Sequence, residues 1–117
     1  MGEFGEDMKV FIDVDDAMTR FGNNKKLYAT LLKKFDGAAI ITGLRNKFAD
    51  GDAAGILEQA HMIKGVAANL SLRDLCEQAK AIELEIKNTG VLNNIDVAEI
   101  SVATTDKEIK AWLSENA

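Results

Sequence analysis

The sequence predicts an all-α protein, an antiparallel up-and-down four-helix bundle with a short additional N-terminal helix. Three observations lead there. Apolar residues recur at three- and four-residue spacing along most of the chain, no stretch alternates as a half-buried strand would, and none of the 117 residues is proline. Amphipathic segments joined by short connections pack most simply as antiparallel neighbours around one core.

The first, short helix is expected from Asp13 to Phe21. Asp13 can cap it, Asp16 lies in its first turn, Val14, Ala17, Met18 and Phe21 share one side, and Gly22 stops it. From about Asn24 to Ala49 the pattern reads as one helix with a bend. Leu27, Leu31, Phe35, Ala38, Leu44 and Phe48 would supply its core contacts, while Gly37 and Gly43 weaken its middle.

Asp50-Gly51-Asp52 predicts a turn ending in an N-cap. Beyond it Ala53, Ile56, Leu57, Ala60, Ile63, Ala67 and Leu70 gather on one face when each residue is turned by about 100°. Ser71 stands three positions before Asp74, a capping-box-like spacing, and opens a second stripe of Leu72, Leu75, Cys76, Ala79, Ile82 and Ile86. These two segments should form a hairpin with almost no loop. After Asn88-Thr89-Gly90, Asp96 is expected to cap a last helix that carries Ala98, Val102, Thr105, Ile109 and Trp112.

Composition excludes several functions. The length suits one domain with a modest core and is too short for a catalytic domain with a separate nucleotide site. Residues 1–9 are expected to be a leader or flexible N-terminus, and 10–117 the domain. A net charge of −5 argues against a nucleic acid partner. One cysteine allows no internal disulfide, and with a single histidine it furnishes no zinc site, so no metal or cofactor is expected. Cys76 itself falls on the buried stripe and reads as a small core residue. No apolar run approaches the roughly 20 residues of a membrane span and no secretion signal is evident, so a cytoplasmic protein without membrane contact is expected.

The candidate site surrounds the sole histidine, in Ala60-His61-Met62-Ile63-Lys64-Gly65. Helical spacing sets His61, Lys64, Gly65 and Ala68 along one flank of the apolar face. A neutral imidazole is a nucleophile near pH 7, an ammonium one turn away favours a phosphoryl group placed on it, and glycine leaves room for a partner. These features read as a phosphorylation site.

From Ala60 to Glu83 the chain resembles the histidine-containing phosphotransfer (HPt) domain. That pattern is a histidine, two residues, lysine, glycine and small residues, then a tight turn into a helix. Here it reads His61-Met62-Ile63-Lys64-Gly65-Val66-Ala67-Ala68-Asn69-Leu70-Ser71, followed by Leu75, Cys76, Ile82 and Glu83. Upstream, Phe21-Gly22-Asn23, Leu27-Tyr28, Leu31-Leu32 and Phe35 look like the family's first two helices, so the resemblance covers about residues 10 to 113. Ser71 departs from it, since the family usually has glycine there.

The resemblance implies a non-enzymatic carrier in a two-component phosphorelay, with response-regulator receiver domains and a hybrid sensor histidine kinase as partners. His61 would be the phosphoryl acceptor and Lys64 would stabilise the phosphoryl oxygens. Gly65 and Ala68 would let a receiver dock, and Glu83 or Lys80 would orient the imidazole from the next helix. Magnesium and the acceptor pocket would belong to the receiver. The chain would act as a monomer. Two other readings stay open: a helical adaptor that is never phosphorylated, and a histidine-kinase dimerisation fragment. Against the second, Met62 stands where an acidic base would follow the histidine, and one chain already supplies four helices.

Overall fold

The computed structural model describes residues 11–116, so the expected leader at 1–9 lies outside the described residues. Among the described residues six α-helices follow in order: α1 Val14–Arg20, α2 Lys25–Leu32, α3 Gly37–Ala49, α4 Ala53–Asn69, α5 Arg73–Thr89 and α6 Asp96–Asn116. No strand occurs among the described residues, and no described helix is long and apolar enough to cross a membrane.

The last four helices close a ring in which α3 packs on α4, α4 on α5, α5 on α6, and α6 back on α3. Side-chain contacts join them. Glu83 of α5 meets Lys64 of α4 while Cys76 reaches back to the Lys64 carbonyl, and Asp74 of α5 meets Ser101 of α6. Gly37 lies against Asp106, whereas Arg45, two turns on, pairs with Glu99. Rising numbers on α3 thus meet falling numbers on α6, as antiparallel neighbours require. The core between them contains Leu44, Ile56, Ala60, Ile63, Ala67, Leu75, Ala79, Ile82, Val102 and Ile109.

Sequence and structure part at the stretch expected as one bent helix, which is two helices. The α2 helix ends at Leu32, and Lys34 and Phe35 make only tight-turn bonds to the carbonyls of Leu31 and Leu32. The Asp36 carboxylate then accepts from the Ala39 N–H at 3.0 Å and starts α3. Gly37 therefore does not weaken a helix middle. It opens α3, and a Cβ there would approach Asp106 to 3.1 Å, so its smallness lets α3 lie close to α6.

The phase of α2 also differs from the expected one. Tyr28, Ala29 and Leu32 are buried while Leu27 is exposed, and in α3 the expected core residue Ala38 is exposed as well. Tyr28 packs against Phe21 and Trp112, and its hydroxyl donates to the Leu70 carbonyl at 2.6 Å. This bond fastens α2 to the end of α4. Burial, with Asp13 and Asp16 nearby, pushes the phenol well above the ordinary tyrosine value.

Asp13 and Asp52 cap α1 and α4 as expected, accepting from the N–H groups of Asp16 and Gly55. Ser71 and Asp96 do not act as caps. The cap position of α5 is Leu72, without a side-chain bond, and Asp74 turns instead to Ser101. Before α6 it is Asn94 that accepts from the Asp96 N–H.

Ser71 has a different use. Its φ of 58° lies in the left-handed region, which accounts for the family's glycine, and its hydroxyl donates to Asp16 at 2.6 Å. The left-handed backbone costs a serine about 1 kcal/mol and the charge-assisted bond returns a similar amount. In urea titrations at neutral pH, Ser71→Gly should therefore stay near wild-type stability, whereas Ser71→Ala, which keeps the strain and loses the bond, should lose about 1 kcal/mol. The Ser71 hydroxyl first, and Arg20 second, hold the Asp16 carboxyl below its ordinary value. Stability from this contact is thus present at neutral pH and lost on acidification, so Ser71→Ala and wild type should converge in acid.

Candidate functional site

On α4 the core face is formed by Ile56, Ala60, Ile63 and Ala67. His61 follows Ala60 and is rotated by about 100° off that face. It lands on the flank beside α5 with its side chain 76% exposed. Lys64, one turn on, lies at the boundary between core and solvent, its side chain 33% exposed.

Facing them from α5 is Glu83, buried with its side chain 9% exposed. One carboxylate oxygen lies 2.7 Å from Lys64 Nζ, and the other lies 3.6 Å from His61 Nδ1. The first is a charge-assisted hydrogen bond; the second is an electrostatic contact longer than a hydrogen bond. The Lys64 bond lowers the Glu83 carboxyl below its ordinary value against the opposing effect of burial, with Lys87 and His61 adding smaller contributions. Glu83 is therefore an anion at neutral pH.

A carboxylate on the Nδ1 side favours the ring proton on that nitrogen. The Nε2 lone pair is then left for chemistry at the solvent face. The arrangement can offer a nucleophilic nitrogen with an ammonium one turn away.

Gly65 is exposed, and a Cβ there would meet nothing within 4 Å, so the space above it is open. Ala68 is also exposed and borders a groove between α1 and the start of α5, which Cys76 and Lys80 line as well. Of the two α5 residues expected near the imidazole, the structure brings up Glu83. Lys80 instead pairs with Glu77 on its own helix, at 3.6 Å.

Two residues of this surface are not singled out by the sequence reading. Met62 and Val66, one turn apart on α4, are exposed large apolar side chains on the flank away from α5. Their position relative to the stripe of Ile63, Ala67 and Leu70 is the signal that could have found them, since both fall off it.

The family model of the Hpt domain matches residues 34–115, a span that takes in α3 through all but the last residue of α6. Neither curated proteins nor solved structures gave a match. The matched span contains the whole ring of four helices, His61 with its lysine and glycine, and the Glu83 that faces them. The chain belongs to the Hpt domain family, whose members carry phosphoryl groups in two-component signalling.

Proposed function

We propose that this chain relays a phosphoryl group between receiver-domain aspartates through a phosphohistidine at His61. The observation that carries the reading is the exposed imidazole with Glu83 behind Nδ1 and the Lys64 ammonium on the same carboxylate. The Nε2 lone pair attacks the phosphorus of an aspartyl phosphate. The phosphorus–oxygen bond breaks, its electron pair returns to the receiver carboxylate, and a nitrogen–phosphorus bond forms. Onward transfer runs the same steps in reverse toward a second aspartate. Such transfer needs positioning and charge stabilisation more than covalent machinery, and the receiver supplies the magnesium.

Glu83 orients the imidazole, Lys64 stabilises the phosphoryl oxygens, and Gly65 and Ala68 admit the receiver. Residues 10–117 form the working domain, acting as a cytoplasmic monomer with receivers and a hybrid sensor kinase as partners. The test is incubation with phosphorylated receiver domains, expecting acid-labile, base-stable label on this chain. Absence of label would favour a helical adaptor.

In the same assay Lys64→Ala should slow transfer and shorten the life of the phosphorylated form by one or two factors of ten, the scale on which a single charge-stabilising donor acts. It also strands Glu83 without its ammonium, so the melting temperature should fall as well. An unchanged transfer rate would remove Lys64 from the site.

A further inference from the structure

Among the described residues Glu83 is the only buried residue that carries a charge. Burying a carboxylate is costly, and a well-packed apolar residue would hold α5 against α4 at least as well. Packing therefore gives no reason for an anion at this position. Its place between the acceptor ring and the ammonium does.

The Lys64 ammonium, needed by a phosphoryl group on His61, is bound at 2.7 Å by Glu83 before any phosphoryl group arrives. Two arrangements are then open to the phosphorylated protein. If Lys64 stays on Glu83, its charge is shared and the phosphoryl oxygens gain less from it. If Lys64 moves over, a buried carboxylate loses its ammonium just as the phosphoryl group brings further negative charge to the same cluster. Either way the carboxylate raises the free energy of the phosphorylated form more than that of the free form.

We infer that Glu83 is a positioning residue that sets the phosphoryl-transfer potential of His61, withholding the Lys64 charge so that the phosphohistidine passes its group on instead of storing it. This rests on the relay reading above and adds a thermodynamic role to it. Glu83 touches no reacting atom and acts through Lys64 and through its own field. The covalent step is unchanged: the same nitrogen–phosphorus bond forms and breaks, and no further reactant enters.

The experiment mixes the full chain with a phosphorylated receiver domain and measures how the label divides between them at equilibrium, for wild type, Glu83→Gln and Glu83→Asp. Glutamine keeps the shape and a hydrogen-bond acceptor for Lys64 but carries no charge. Glu83→Gln should shift the division threefold to tenfold toward the phosphohistidine, the scale of one screened charge at this separation. The shift should shrink as salt is raised, because part of it is repulsion near water. Glu83→Asp, which keeps the charge, should shift it less.

An unchanged division in Glu83→Gln, or a shift toward the receiver, would overturn the proposal and leave Glu83 as a simple support for Lys64. Equal shifts in the glutamine and aspartate variants would also overturn it, since shape and not charge would then be at work. A wild-type chain that takes no label at all is a different result: it overturns the relay reading itself, and this proposal with it.

Discussion

His61→Gln should abolish phosphoryl transfer while leaving the fold in place. The wild-type side chain is 76% exposed and lies beside the core face of α4, so exchanging it is a surface substitution that shifts stability by no more than about 0.5 kcal/mol. The amide that replaces the ring has no nucleophilic nitrogen lone pair, so no residual rate is expected. Circular dichroism and thermal unfolding check the first half, and label transfer from a phosphorylated receiver checks the second. Label retained in the variant would move the acceptor to another residue.

Gly65→Gln should separate two donors. Gly65 lies one turn beyond His61 inside α4, and a Cβ at this position enters open space, so a long side chain there points where a receiver must sit. Transfer from a receiver should fall by at least about tenfold if docking loses the contact geometry on which positioning depends. Labelling by phosphoramidate, which needs far less room, should continue at the wild-type rate. Removing a glycine from a helix interior should also stabilise the bundle by about 0.5–1 kcal/mol. Equal loss with both donors would mean that Gly65 serves helix packing and not access.

Which parts of this were legible in the sequence follows from how local each signal is. The α4 and α5 stripes could be read because Ile56, Ala60, Ile63 and Ala67, and then Leu75, Ala79, Ile82 and Ile86, repeat at helical spacing and are buried as that spacing requires. Asp13 and Asp52 were legible because capping is a matter of three residues. The break between α2 and α3 was not. No proline marks it, and the signal present, Asp36 capping Ala39, sits inside an apolar pattern that continues on both sides.

The reach of Ser71 to Asp16 and of Tyr28 to Leu70 spans 55 and 42 residues, which no local spacing encodes. At the site, the flank of His61, Lys64 and Gly65 follows from helix geometry alone. The choice between Lys80 and Glu83 does not, because it depends on the rotation of α5 against α4. Glu83 was hard to weigh for another reason: it is a charged residue one turn from Ala79, on the buried side of its helix.

The most direct measurement of the central claim identifies the atom that is phosphorylated. After reaction of the intact chain with a phosphorylated receiver domain, phosphorus-31 and proton nuclear magnetic resonance distinguish Nε2 from Nδ1 phosphohistidine. With Glu83 on the Nδ1 side of an imidazole that is 76% exposed, one phosphoryl group per chain is predicted, on Nε2 of His61. A phosphoryl group on Nδ1, on any other residue, or on none would contradict it.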